Sequence, residues 1–75
     1  MNKHHLDARG LLCPMPVIKT QNTINTLKAG DILIVTATDP GVLHDIPAWC
    51  RVNGHTILNT REEDNIIEVM IEVCD

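Results

Sequence analysis

The chain has 75 residues, which is room for one small domain, and we expect that domain to span residues 1–75. Leu, Ile and Val account for 22 residues, too many for an intrinsically disordered protein, and Trp49 is the only aromatic residue, so we expect an aliphatic core. The net charge of -4, without any basic cluster, argues against direct nucleic-acid binding, and no apolar run is long enough to cross a membrane.

The first two predicted elements are a short strand and a helix. Residues 5–8 have the pattern of a strand that ends before Gly10. Pro14 and Pro16 suit only the first turn of a helix, where their missing N–H groups cost nothing. Apolar residues then follow at helical spacing, and Gly30 is predicted to end the helix.

A central strand and a second helix are predicted next. Residues 31–38 form a nearly continuous β-branched run, which favours a central strand. Asp39, followed by a proline, has the pattern of an N-cap, and the second helix is predicted to extend to about Val52. Pro47 lies inside that span, so it either kinks the helix or restarts it after Asp45, whose side chain would cap the restarted turn.

The last part of the chain predicts a β-hairpin. Residues 55–60 and 67–73 are predicted strands, joined by a polar turn over residues 61–65. The element order is therefore β-α-β-α-β-β. We predict an α+β fold, a two-layer sandwich in which both helices cover one face of the sheet and the last strand runs antiparallel.

Cys13 is the residue most indicative of chemistry. It immediately precedes Pro14, at or near the start of the first helix, where unpaired N–H groups and the helix dipole favour a thiolate. Pro14 and Pro16 stiffen the first turn, while Gly10 gives the preceding loop conformational freedom. We interpret Cys13 as a reactive thiol; the alternative is a small core residue, as most free cysteines are.

Three apolar residues flank Cys13 where a solvated turn would normally be polar. We refer to Leu11, Leu12 and Met15 as the apolar collar and expect it to dock another protein rather than to bind a small molecule. Either leucine can instead turn inward and close the core. Met15 is expected at the surface, where a flexible thioether suits more than one partner.

The remaining cysteines and the histidines indicate no further site. Cys50 is interpreted as a packing residue with an ordinary or raised pKa, and Cys74 as an exposed thiol. Three free thiols without an export signal are expected in the cytoplasm. The four histidines lack the spacing of metal-ligand pairs, so we expect no metal and no bound cofactor, and helix capping accounts for Asp39 and Asp45.

Two segments resemble a known family. Residues 6–17, with the sequence LDARGLLCPMPV, resemble the LD-x-x-G-L-x-CPxP signature of the TusA/SirA-like sulfur carriers. The segment from Asp39 to Cys50 resembles the other characteristic segment of that family, and the resemblance covers essentially the whole chain. Met15 departs from relatives that carry a charged residue at this position, which leaves the choice of partner open.

The resemblance implies both a topology and a chemistry. It implies a mixed sheet of order 1-2-4-3, like that of the C-terminal domain of translation initiation factor three. It further implies that Cys13 accepts a persulfide from a cysteine desulfurase or rhodanese-like donor and relays it to an acceptor protein with a reactive cysteine. In this family the sulfur feeds tRNA thiolation, cofactor maturation or dissimilatory sulfur oxidation.

A second hypothesis is a non-catalytic regulatory or RNA-contacting module of the same fold, and a third is a metal-binding protein. The net charge of -4 argues against RNA. The position of Cys13 favours sulfur transfer, so a sulfur carrier is the leading interpretation.

Overall fold

Four strands and two helices alternate along residues 2–74, the part of the chain that the computed structural model describes. In chain order they are β1 (Lys3–Ala8), α1 (Met15–Ile24), β2 (Ile32–Ala37), α2 (Val42–Asn53), β3 (Thr56–Glu63) and β4 (Ile66–Glu72). One sheet has the order β1-β2-β4-β3, in which β1 is parallel to β2 and β4 is antiparallel to both of its neighbours. The α+β class and the strand order 1-2-4-3 are thus confirmed.

One face of the sheet carries the core. Along β4, Ile67, Val69 and Ile71 are buried while the residues between them face away, as a half-buried strand requires. The helices cover this face, and Ile24 of α1 and Ile46 of α2 belong to the same buried cluster. Each fully buried aliphatic side chain stabilises the fold by about 1.5–3 kcal/mol, so the sheet fixes the position of both helices.

The hairpin of β3 and β4 is longer than its sequence pattern indicated. β3 continues to Glu63, and the turn consists only of Asp64 and Asn65, with φ of 52° and 65°. Asp and Asn tolerate this left-handed conformation, which a two-residue hairpin turn requires. The predicted turn over residues 61–65 was too long because β3 is an edge strand whose second half is exposed and polar.

Helix α1 is shorter than predicted. It ends at Ile24 rather than continuing to Gly30, and the side chain of Thr26 donates a hydrogen bond to the carbonyl of Thr23 at 2.7 Å. Short polar side chains compete for backbone groups in this way, which favours turns over continued helix. Gly30, with φ of 93°, lies in the turn into β2 and is not the residue that ends the helix.

Helix α2 is continuous through Pro47, so of the two alternatives for this proline, a kink or a restart after Asp45, the restart is wrong. Its N-cap is Gly41, and Asp39 lies two residues earlier, where its Oδ1 accepts a hydrogen bond from the Gly41 N–H at 3.0 Å. Asp45 therefore lies within the first turn and caps nothing. Among residues 2–74, no helix is long and apolar enough to cross a membrane.

Candidate functional site

Cys13 lies exposed on the loop between β1 and α1, directly before Pro14, the N-cap of α1. The first turn closes through hydrogen bonds from the Met15 N–H to the Leu12 carbonyl at 2.9 Å and from the Ile18 N–H to the Pro14 carbonyl at 3.1 Å. The predicted exposure of this thiol at a helix start is confirmed, and its interpretation as a core residue is wrong.

Two carboxylates contact Cys13. Its Sγ donates a hydrogen bond to Oδ2 of Asp45 at 2.8 Å, and its backbone N–H donates to Oδ2 of Asp39 at 3.0 Å. Helix capping was the expected role of both acidic residues, and it is wrong for both: Asp45 caps nothing, and Asp39 lies two residues before the N-cap Gly41, whose N–H it accepts. The pairs are 32 and 26 residues apart in the chain, so no local sequence pattern could indicate them.

These carboxylates reverse the expected electrostatics of Cys13. The hydrogen bond to Asp45 raises the pKa of the Cys13 thiol above its usual range, and partial desolvation and the charges of Asp45 and Asp39 raise it further. The expectation of a thiolate at this helix start is therefore wrong, because Asp45 accepts a hydrogen bond that only the protonated thiol can donate. Backbone N–H groups of Gly41 and Cys13 hold the pKa of Asp39 below its ordinary value, so Asp39 remains charged.

The loop that carries Cys13 is held at Gly10. This residue has φ of 78°, and its N–H donates to Oγ1 of Thr38 at 2.9 Å. A Cβ at Gly10 would meet no atom within 4 Å, so the backbone conformation, rather than lack of space, requires glycine. Just before it, Arg9 pairs with Asp7 at 2.9 Å and lowers the pKa of that carboxyl to about 2.

The apolar collar divides between core and surface. Leu11 is half-buried and packs against the core, whereas Leu12 is 75% exposed and Met15 is 42% exposed. The expectation that at least one of these residues faces solvent is confirmed. Ile18, 41% exposed and one turn after Met15, extends this apolar surface. Sequence reasoning missed it because its helical spacing fitted a core residue as well as a surface one.

The two prolines of the motif differ in environment. Pro14 is exposed, whereas the ring of Pro16 is fully buried and its carbonyl accepts a hydrogen bond from Oγ1 of Thr20 at 2.8 Å. Pro16 therefore stabilises the position of α1 by packing in the core. The sequence analysis predicted only that it stiffens the first helical turn.

The other thiols lie away from this loop. Cys50 is fully buried, and burial raises its pKa to about 11, as expected for a packing residue. Cys74 is half-buried rather than exposed: its Sγ is 3.5 Å from Oγ1 of Thr56, and its N–H donates to Nδ1 of His55 at 3.0 Å. Within residues 2–74 no three His, Cys, Asp or Glu side chains gather in a way that could hold a metal ion.

Comparison with known proteins decides the family. A family model described as "Sulfurtransferase TusA" matches residues 4–73. The chain belongs to the TusA family. It is 43% identical over 67 residues to Bacillus subtilis YrkI, with 89% of each chain covered, and 36% identical over 67 residues to the sulfur carrier protein TusA of Allochromatium vinosum, with 89% and 88% covered.

A solved structure supports the same family. The SirA-like protein of Desulfitobacterium hafniense superposes with a TM-score of 0.84 at 26% identity, covering 96% of this chain and 99% of that one. Membership of this family assigns the protein to the sulfur carriers, which work with sulfur-relay partners.

Proposed function

We propose that the protein accepts one sulfur atom on Cys13 as a persulfide and passes it to a cysteine of another protein. The observation that carries this proposal is the placement of an exposed thiol at the start of α1, beside the exposed apolar side chains of Leu12 and Met15. An exposed apolar surface around a nucleophilic thiol favours the docking of another protein. This fits a sulfur relay, in which the reacting sulfur is carried by a protein.

The chemistry is a displacement at sulfur. Cys13 loses its thiol proton, and its Sγ attacks the outer sulfur of a persulfide on the donor. A new S–S bond forms while the S–S bond of the donor breaks. The donor cysteine leaves as a thiolate, which takes up the proton that Cys13 lost. Handover repeats the step with Cys13 as the leaving group. No external oxidant is consumed, and no cofactor is needed beyond the covalently held sulfur.

The proposed donor is a cysteine desulfurase or a rhodanese-like protein, and the acceptor is a sulfur-relay protein with a reactive cysteine. Gly10, Pro14 and Pro16 support the site by fixing the loop and the first helical turn, and the exposed part of the apolar collar, Leu12 and Met15, is the docking surface. The acceptor belongs to a route of tRNA thiolation, cofactor maturation or dissimilatory sulfur oxidation. We place the protein in the cytoplasm, because three free thiols persist in a reducing compartment.

The decisive experiment is intact mass spectrometry after incubation with a cysteine desulfurase and cysteine. We expect one added sulfur, roughly 32 Da, that dithiothreitol removes, as befits a reversible sulfur adduct. A Cys74→Ser variant is the matched control and should gain the same mass. Absence of the adduct, or peptide mapping that places it on Cys74, would contradict the proposal.

A further inference from the structure

We propose that Asp45 holds the thiol of the empty carrier protonated, and so slow to react with small electrophiles, until the donor's leaving sulfur takes up the thiol proton, and that the contact between Cys13 and Asp45 is lost once sulfur is loaded. This inference rests on the proposed persulfide chemistry and concerns the regulation of the same thiol. Its geometric basis is the hydrogen bond from Cys13 Sγ to Asp45 Oδ2 at 2.8 Å, which joins the loop before α1 to the first turn of α2.

A second carboxylate holds this geometry in place. Asp39 accepts the Cys13 N–H on Oδ2 and the Gly41 N–H on Oδ1, each at 3.0 Å, so the backbone of Cys13 is tied to the start of α2. A Cβ at Gly41 would lie 3.4 Å from Asp39 Oδ1 and 3.6 Å from Asp45 Oδ2. Both carboxylates thus lie close to Gly41, at the start of α2. The contact between the Cys13 thiol and Asp45 is therefore fixed by the way the loop before α1 meets α2.

In the empty carrier this arrangement favours the thiol over the thiolate. The charged groups that shift the pKa of Cys13 are the carboxylates of Asp45 and Asp39, and both raise it. The guanidinium of Arg9, on the same loop, is paired with Asp7 at 2.9 Å. Because the thiolate is the nucleophile, the empty carrier should react slowly with small electrophiles and oxidants.

Loading removes the hydrogen bond between Cys13 and Asp45, because Sγ no longer carries a hydrogen. The donor persulfide and the Cys13 thiol exchange to give the donor thiol and a Cys13 persulfide, with the thiol proton passing to the donor's leaving sulfur. The inner sulfur of that persulfide bears no hydrogen and has nothing to donate to Asp45. Since a persulfide is a stronger acid than a thiol, its outer sulfur ionises and is repelled by both carboxylates. Loading therefore replaces the hydrogen bond between Cys13 and Asp45 with repulsion between the outer sulfur and both carboxylates. As a result, the outer sulfur faces the acceptor.

The first test measures the empty carrier. In a Cys74→Ser background, the iodoacetamide alkylation rate of Cys13 is followed against pH for the parent, for Asp45→Asn and for Glu68→Gln. Glu68 is exposed on the opposite face of the sheet and is the matched control for loss of one carboxylate. At pH 7 we expect Asp45→Asn to react about three- to tenfold faster, since one pKa unit changes the thiolate fraction about tenfold. Rates equal to those of the parent would overturn the proposal.

The second test probes loading with the natural residues in place, so it does not depend on a variant folding. Methyl methanethiosulfonate converts Cys13 into a methyl disulfide, whose inner sulfur also lacks a hydrogen. The ¹³C carboxyl resonance of Asp45 should move on modification, while that of Asp39, which contacts the Cys13 backbone N–H, should stay in place.

An Asp45 resonance that does not move would overturn the proposal. Neither measurement uses a sulfur donor, so failure of this regulation is distinguishable from failure of the carrier to accept persulfide.

Discussion

Cys13 and Cys50 are both free thiols whose pKa lies above the ordinary value of 9.0, yet their surroundings have little in common. Cys13 is exposed on a loop, and its pKa is raised first by a hydrogen bond to Asp45. Cys50 is fully buried among aliphatic side chains on α2, and desolvation is the main cause of its shift. One thiol is protonated because of a specific neighbour, and the other because water is absent.

This difference decides which thiol can take part in chemistry. The contact between Cys13 and Asp45 breaks when the sulfur is modified or a partner approaches, so the reactivity of Cys13 can change within one transfer cycle. The core around Cys50 would have to open before that thiol could ionise, and opening a core costs a large part of the stability of a small domain. The pKa is raised at both positions, but only at Cys13 can the reactivity of the thiol change during a transfer cycle.

The largest expected effect separates the two thiols by function. Cys13→Ser should abolish sulfur loading, because no other exposed thiol occupies the start of α1. The fold should persist, since the serine hydroxyl can donate to Asp45 as the thiol does. Intact mass after incubation with a desulfurase measures the first outcome, and thermal unfolding measures the second. Loading of the serine variant at the parental level would show that another residue carries the sulfur.

Replacing the buried thiol should have the opposite consequence. Cys50→Ser places a hydroxyl in an aliphatic environment, which we expect to lower the free energy of unfolding by about 1–3 kcal/mol if the hydroxyl finds no partner. Sulfur loading should be unchanged. Urea denaturation and the mass assay give the two readings from one preparation. Lost loading with unchanged stability would mean that the roles of Cys13 and Cys50 are reversed.

The sequence was informative wherever local patterns decide the structure. The prolines after Cys13 placed a helix start correctly, and alternation between Ile67 and Val73 identified β4 with its buried face. The sequence was not informative about Asp45. Its partner, Cys13, is 32 residues away in the chain and becomes a neighbour only when α1 packs against α2. The ionisation of Cys13 was therefore predicted in the wrong direction: the helix end is a local feature, and the carboxylate is a tertiary one.

The pH dependence of stability should report the burial of Cys50. Its pKa rises from 9.0 to about 11 on folding, so the folded state favours the protonated thiol. This contribution is fully present below pH 9 and should be lost as the pH rises towards 11, because the unfolded thiol ionises first. Urea midpoints at pH 8 and pH 10.5 should differ more for the parent than for Cys50→Ser. An equal decline in both proteins would assign the effect to other groups.

The smallest expected effect concerns the apolar collar beside Cys13. Met15→Glu places a carboxylate in the first turn of α1, which has no acidic residue of its own, so thermal stability should be unchanged or slightly higher. A third negative charge near Cys13 should raise its pKa modestly, and loss of an exposed apolar side chain should alter the preference among acceptor proteins. Ile18→Glu, one turn further along and equally exposed, is the control that removes apolar surface farther from the thiol. Alkylation rates against pH and competition between two acceptors measure the two effects. If Met15→Glu unfolds the domain, Met15 belongs to the core and does not dock a partner.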